Sequence, residues 1–272
     1  MGIDPRFTRE MWEESLNMIP KIWESETFEW EGKFWNVPPR EVLPKPYQKP
    51  HPPIWVAALQ PATYQLAAEK GIGVMALGVA APSILEPHIK AYRETIKNAQ
   101  PVGAFVNNQW LSSCFGLCGE DNKATRELCT QSLKTFFGPG RPYVQDQKDV
   151  YSKLLEQWGG VPDHLTQNFS RYVEVQGVDG GNGSNGSAVD LSGGSALAQK
   201  IWEEFDADTL AERGVIVAGD PESCIEAVKL HEATGVDQIQ FLMATETVGH
   251  KEVMKSIEMF GKHVIPAFKK TA

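Results

Sequence analysis

Apolar residues recur along this chain with two alternating spacings. In some stretches an apolar side chain returns every three or four positions, and short unbroken apolar runs lie between these stretches. The first spacing is typical of amphipathic helices and the second of buried strands. The spacing predicts helices at 9–25, 61–70, 83–98, 121–136, 221–234 and 249–263. The apolar runs predict strands at 54–58, 73–77, 108–118 and 237–243.

This alternation predicts an α/β fold with a parallel sheet, because each strand is followed by a helix that returns the chain in the same direction. Helix 221–234 carries the clearest end signals. Asp220 stands at the N-cap position, Pro221 opens the first turn, and Gly235 follows where the helix would end.

One strand-to-helix joint, within residues 49–73, has the composition of an anion site. Prolines keep the chain extended before the apolar run Ile54–Ala58, which suits a strand covered on both faces. Pro61 suits the first helical position, Thr63 falls in the first turn, and Gly71 suits the helix end. Helix amides and a hydroxyl thus meet where parallel α/β folds bind phosphate. An ordinary joint without a ligand is the alternative.

Residues 137–200 interrupt the alternation and predict an insertion. Only one helix is predicted there, at 145–158, and residues 177–194 are a glycine- and serine-rich tract that cannot pack as a regular element. The tract predicts a flexible surface loop. If the insertion is a lid over a site, Arg141 and Tyr143 are candidates to contact an anionic or polar substrate. A loop without a role is the other interpretation.

Composition argues against two classes of partner. The formal net charge is -9 and the pI is about 5.2, so no basic surface is expected that could neutralise nucleic-acid phosphates. No apolar run approaches the roughly 20 residues of a membrane span, and the first residues lack the apolar core of a signal peptide. Composition therefore agrees with a cytoplasmic enzyme and argues against binding to nucleic acid or to membranes.

Cysteine and histidine spacing predicts no metal site. The four cysteines, Cys114, Cys118, Cys129 and Cys224, are too few for a disulfide framework in a chain of 272 residues, and buried thiols are expected. The six histidines show no pair spaced four apart, as metal-binding helices require.

Four segments resemble one family in the same order along the chain. The first runs from MWEESLNMIPKIW through FEWEGKFWNVPP to VLPKPYQKPHPPIWVA, and the second is the joint at residues 49–73. The third is GDPESCIEAVKLHEATGVDQIQFLM, and the fourth is GHKEVMKSIEMFGKHVIPAF. Together they cover most of residues 3–130 and 206–268. The chain resembles the bacterial luciferase-like monooxygenases, which are flavin-dependent.

The resemblance implies a single domain over residues 1–272 that forms the C-terminal half of a (β/α)8 TIM-type barrel. Only four barrel-type strands are found, whereas a closed barrel needs eight. By resemblance, the chain starts at the helix after the family's fourth strand. The expectation is an N-terminally truncated form, which the genomic sequence upstream of Met1 would test.

The resemblance also implies a function and a cofactor site. The activity would be oxygenation of a small organic substrate with reduced flavin and O2, with FMN as the cofactor and a flavin reductase as a candidate partner. Thr63 aligns with a phosphate-binding hydroxyl of the family, while Gln60 stands where serine is common. With Ala58 at the strand end and the amide of Ala62, they form the expected cofactor site.

His250 is the one catalytic candidate, because it resembles a family position near the mouth of the flavin site. The alternative interpretation is a solvated loop histidine.

Two other functions stay open at this point. One is a hydride-transferring oxidoreductase of the same fold that uses the deazaflavin F420. The other is a non-catalytic remnant or partner subunit that docks an open sheet edge on another chain, for which a homo-oligomer is a candidate assembly.

Overall fold

The computed structural model describes residues 4–58, 61–77, 81–137 and 206–269. The chain divides into two compact units. The first holds the residues up to Met75 together with Lys90–Trp110, and the second holds Ala76–Ile89 and the residues from Leu111 onward. Several predictions lie outside the described residues: Gln60, Arg141, Tyr143, helix 145–158 and the tract 177–194.

The first unit begins with a helix and a hairpin. Its elements in chain order are α1 (Thr8–Glu24), β1 (Thr27–Glu31), β2 (Asn36–Glu41), β3 (Trp55–Ala58), α2 (Pro61–Glu69) and β4 (Gly73–Leu77), followed by α3 (Pro82–Thr95), which ends in this unit. Strands β1 and β2 pair antiparallel. Neither strand was predicted from the sequence.

Glu14 of α1 fixes the turn of the β1–β2 hairpin. Its carboxylate accepts hydrogen bonds from Trp30 Nε1 and from the amides of Phe34 and Trp35, each at 3.0 Å. Loss of solvation alone would raise the pKa of Glu14, but these hydrogen bonds outweigh it and lower the pKa. Gly32 belongs to the same turn, because a Cβ there would lie 2.0 Å from Glu14 Oε1.

An aromatic and polar cluster holds β3, β4 and the chain before residue 110 together. The Tyr92 hydroxyl lies 3.0 Å from the carbonyl oxygen of Ile72 and 3.1 Å from that of Asn107. Asn107 Nδ2 donates to the carbonyl of Ile54 at 3.0 Å. The buried Trp110 packs against the ring of Tyr92. These groups therefore fix the strand that precedes α2.

The second unit is built on β5 (Trp110–Cys118), of which all but the first residue belongs to it. The further elements are α4 (Asn122–Phe137), α5 (Ala207–Glu212), β6 (Ile216–Gly219), α6 (Pro221–Glu232), β7 (Gln238–Leu242) and α7 (His250–Met259). A π-helical turn, Phe260–Val264, and a 3-10 turn, Ile265–Phe268, follow α7. Strand β5 pairs in parallel with both β6 and β7, as the alternation of elements predicts.

Alternate residues of β5 enter two cores on opposite faces. Phe115 and Leu117 pack with residues of α4 and α5, whereas Cys114 and Cys118 pack with α6 and the turns after α7. All four cysteines are buried and unlinked, which confirms the thiol prediction. Burial raises the pKa of Cys129 to about 12, so this thiol stays protonated at neutral pH.

Two predictions about strands need correction. Strand β3 is not covered on both faces, because Ala57 is exposed and Trp55 is half-buried. Within the described residues β3 pairs on one edge only, with β4, and this leaves part of it in contact with solvent. Strand β6 was missed, although its four residues are all buried and follow the apolar pattern of a strand.

We predict that His231 makes the stability of the protein depend on pH. His231 is buried in α6, its Nε2 donates to the carbonyl oxygen of Gly214 at 2.9 Å, and burial lowers its pKa. Below the ordinary histidine pKa of about 6.5 the unfolded chain therefore takes up this proton before the folded chain does. The contribution of neutral His231 to the free energy of unfolding is complete above about pH 6.5 and declines as the pH falls.

Urea unfolding between pH 5 and pH 8 measures this effect. His231→Gln removes only this imidazole, so the difference between the variant and the parent chain isolates the contribution of this one side chain. The variant is expected to show a flatter profile than the parent chain. Parallel profiles would contradict the prediction.

Candidate functional site

The N-terminus of α2, which follows β3 in the chain, is suited to bind an anion. Ala58 ends β3 and is buried, Ala62 is exposed, and Thr63 is half-buried in the first turn of α2. The first amides of a helix have no carbonyl partner within that helix, and the helix dipole adds positive potential there. The first turn of α2 contains no acidic residue that would repel an anion. The hydrogen-bond donors at the N-terminus of α2 therefore fit a phosphate group.

The position of α2 is fixed at its far end and along its buried side. Gly71 has a φ of 66°, and the amides of Gly71 and Ile72 donate to carbonyls of the last turn at 3.1 and 3.0 Å. Gly71 therefore ends the helix as predicted. Tyr64, next to Thr63, packs on Trp110 with ring centroids 4.7 Å apart. The first turn is thus held by a buried aromatic contact.

The structure places His250 at the first position of α7, in the second unit. It is exposed and follows the N-cap residue Gly249. The interpretation as a loop histidine is therefore wrong in one respect, because the helix begins at this residue. Its role near a cofactor stays a prediction.

Two polar pairs in the second unit were missed by the sequence analysis. Ser113 Oγ of β5 donates to Gln240 Oε1 of β7 at 2.9 Å. Ser132 Oγ of α4 lies 2.6 Å from Thr245 Oγ1, just beyond the carboxyl end of β7. The one sequence signal was that polar residues alternate with apolar ones in β7, which reads Gln-Ile-Gln-Phe-Leu.

The described part of the chain holds neither a cluster of metal ligands nor a membrane-spanning helix. Within residues 4–58, 61–77, 81–137 and 206–269, no three His, Cys, Asp or Glu side chains lie close enough to share a metal ion. Among the helices of these ranges, none combines the length and the apolar character needed to cross a lipid bilayer.

The parallel pairing of β5 with β6 and β7 and the helices between the strands define the class of α/β proteins. The comparison with protein families is more specific. The chain belongs to the luciferase-like monooxygenase family, whose model matches residues 1–238. The resemblance stated from the sequence segments is confirmed.

One curated relative matches almost the whole chain. The oxygenase component of a flavin-dependent trigonelline monooxygenase from Acinetobacter baylyi is 20% identical, and the match covers 98% of this chain and 62% of the relative. The chain therefore spans less than two thirds of the length of this relative.

Two solved structures share the fold. The oxygenating constituent of 3,6-diketocamphane monooxygenase from Pseudomonas putida, in complex with FMN, is 18% identical with a TM-score of 0.60, over 97% of this chain and 64% of that one. The F420-dependent tetrahydromethanopterin reductase from Methanopyrus kandleri is 19% identical with a TM-score of 0.57, over 95% and 63%. They confirm the predicted α/β fold class, part of a TIM-type barrel.

Proposed function

We propose that this chain is a flavin-dependent monooxygenase that oxygenates a small organic substrate with reduced flavin and O2. The observation that carries the proposal is the N-terminus of α2, where helix amides and the Thr63 hydroxyl lie beyond the end of β3. The flavin-dependent relative and the FMN complex of a protein with the same fold support it.

In this proposal the joint holds the phosphate of FMN. The amides of Ala62 and Thr63 and the Thr63 hydroxyl donate to phosphate oxygens, and the short side chain of Ala58 lets the ligand approach the strand end. Gln60 is proposed as a further donor. Bound reduced flavin would supply the reactivity toward O2, while the residues of the chain bind and orient it.

The second candidate is an F420-dependent hydride transfer, which the Methanopyrus kandleri neighbour favours. FMN and F420 both carry a phosphate joined to a fused ring system through a polyol chain, so the joint suits either cofactor. Parallel titrations with FMN and F420 separate the two candidates, because the cofactor that belongs to the site binds more tightly.

We also propose a separate flavin reductase as a partner, because the curated relative is an oxygenase component. A role of Arg141 and Tyr143 in a lid, a role of His250 in catalysis and a homo-oligomeric state stay predictions.

The test of the joint compares FMN with riboflavin, which has the same ring but no phosphate. We expect the parent chain to bind FMN more tightly, and Thr63→Ala to weaken FMN binding by about 10-fold or more, because it removes a hydrogen bond to a charged group. Riboflavin binding should stay unchanged. Binding is measured by quenching of flavin fluorescence.

Gln65→Ala is the matched control for this variant. Gln65 is exposed on α2 and bonds to Glu69 at 2.9 Å, away from the helix N-terminus. Its substitution should leave both affinities unchanged. If Thr63→Ala weakens FMN and riboflavin equally, the joint does not bind the phosphate. If the parent chain binds neither FMN nor F420, the proposed function fails.

A further inference from the structure

Cys118 and Cys224 bring two free thiols together inside the second unit. Cys118 is the last residue of β5, and Cys224 lies in the first turn of α6. Both side chains are buried in the same core cluster, and neither is part of a disulfide. The Cys224 thiol donates a hydrogen bond to the sulfur of Cys118. The two sulfur atoms are thus in contact without a covalent bond between them.

The backbone around the pair holds the two thiols in place. Cys118 and Gly219 are register partners of the parallel β5–β6 ladder. Cys224 Sγ lies 3.8 Å from the carbonyl oxygen of Leu117 and 3.8 Å from that of Gly219, which are the residues beside this rung of the ladder. The amide of Cys118 donates to Ser256 Oγ at 2.8 Å. The sulfur of α6 is therefore held over the strand ends, next to Cys118.

The contact makes the two thiols chemically different. The hydrogen bond from Cys224 lowers the pKa of Cys118, whereas the same hydrogen bond, together with burial, raises the pKa of Cys224. The thiolate is the nucleophilic form of cysteine. Cys118 is therefore the thiol that reacts first, and Cys224 keeps its proton. Such a difference between two neighbouring thiols is typical of dithiols that form a disulfide.

The two remaining cysteines provide an internal comparison. Cys114 and Cys129 are also buried, but burial raises the pKa of each of them. They stay protonated at neutral pH and are poor nucleophiles. Oxidation at neutral pH should therefore distinguish the pair from these two thiols.

The pair lies directly beneath the surface of the second unit. Cys118 ends β5, and Glu120 and Asp121, which follow after one residue, are exposed. Hydrogen peroxide is little larger than water, so a small opening of this turn admits it. A bulky thiol reagent needs a larger opening. The position of the pair therefore favours reaction with a small oxidant.

We propose that Cys118 and Cys224 form an oxidation site at which hydrogen peroxide converts two thiols into a disulfide. The Cys118 thiolate attacks one peroxide oxygen, the O–O bond breaks, and the hydroxide that leaves takes up a proton to give water. Cys118 is then a sulfenic acid. The sulfur of Cys224 attacks the sulfur of Cys118, the S–S bond forms, and the hydroxyl group leaves as water with the proton of Cys224.

The reaction is balanced with peroxide as the only oxidant. The two sulfur atoms together lose two electrons, and the two oxygen atoms of one peroxide molecule gain them. No flavin takes part in either step. The inference is therefore independent of the proposed function, and its failure would leave that proposal unaffected.

The experiment treats the reduced full chain with hydrogen peroxide at neutral pH, with and without urea. Free thiols are counted after unfolding, and a peptide map locates any disulfide. In the folded parent chain we expect the count to fall from the four thiols present to two, with Cys118 linked to Cys224. A bulky disulfide reagent should react with the folded chain much more slowly than peroxide does.

Two variants separate the roles of the paired thiols. Cys224→Ser should stop the reaction at the sulfenic acid of Cys118, which dimedone traps. Cys118→Ser should slow the oxidation of Cys224 by about 10-fold or more, because the thiol with the lowered pKa is gone. Cys129→Ser is the matched control, since it removes a buried thiol outside the pair and should form the disulfide at the parent rate. Thermal unfolding of each variant verifies that it is folded.

Three outcomes would overturn the oxidation site. The first is a folded parent chain that keeps its thiols at a peroxide concentration that oxidises the chain in urea. The second is a disulfide that includes Cys114 or Cys129. The third is a Cys224→Ser variant in which dimedone labels no residue, or labels another cysteine before Cys118. The parent chain alone decides the first two, so they remain informative if a variant does not fold.

Discussion

Gly219→Ala is expected to lower the free energy of unfolding by about 2 to 6 kcal/mol, measured by denaturant unfolding. Gly219 ends β6 with a φ of 133°, a conformation that side-chain-bearing residues rarely adopt. A Cβ there would lie 2.1 Å from Asn122 Oδ1 and 3.0 Å from Ser223 Cβ. The substitution therefore adds a collision to the backbone strain, at the point where the chain turns into α6.

Gly235→Ala separates the strain from the collision. Gly235 has a φ of 84°, but no atom lies within 4 Å of the position that a Cβ would take. Only the strain remains there, about 1 to 2 kcal/mol. If Gly219→Ala is no more destabilising than Gly235→Ala, the packing of Asn122 against Gly219 does not contribute to stability.

The ends of individual helices could be predicted because their chemistry is local. Asp220 accepts a hydrogen bond from the amide of Ser223 at 2.8 Å, as its N-cap position predicted. Gly71 and Gly235 both adopt positive φ, as the predicted helix ends require. Each signal depends on residues within a few positions, so one sequence is sufficient to read it.

Strand pairing could not be predicted in the same way. Strand β6 has four residues, and its partner segment in β5 begins at Phe115, far earlier in the chain. A run this short is ambiguous by pattern alone. The β1–β2 hairpin was missed for a related reason, because Pro38 and Pro39 within β2 argue against a strand.

The candidate site and the polar pairs also differ in how far they could be predicted from the sequence. The donors of Ala62 and Thr63 follow from where α2 begins, and a sequence pattern locates that position. The Ser113–Gln240 pair joins residues 127 positions apart, and the Ser132–Thr245 pair joins residues 113 positions apart. Such pairs depend on strand register and helix packing, which the alternation of polar and apolar residues does not specify.

Trp110→Ala is expected to be the most destabilising single substitution in the first unit, at about 3 to 5 kcal/mol. Trp110 has 0% exposure and packs between Tyr64 and Tyr92, with ring centroids 4.7 and 5.4 Å away. Truncation leaves a cavity and removes two aromatic contacts, each contributing about 0.5 to 1.5 kcal/mol beyond the buried area. Urea unfolding measures the loss.

Trp35→Ala makes the same chemical change at an exposed position, since 37% of the surface of Trp35 is accessible to solvent. We expect it to cost less than about 1 kcal/mol. Because Tyr64 adjoins Thr63 in α2, Trp110→Ala should also weaken FMN binding in the folded protein, whereas Trp35→Ala should not. Equal destabilisation by the two variants would show that the aromatic cluster does not hold α2, and the proposed cofactor site would then need another support.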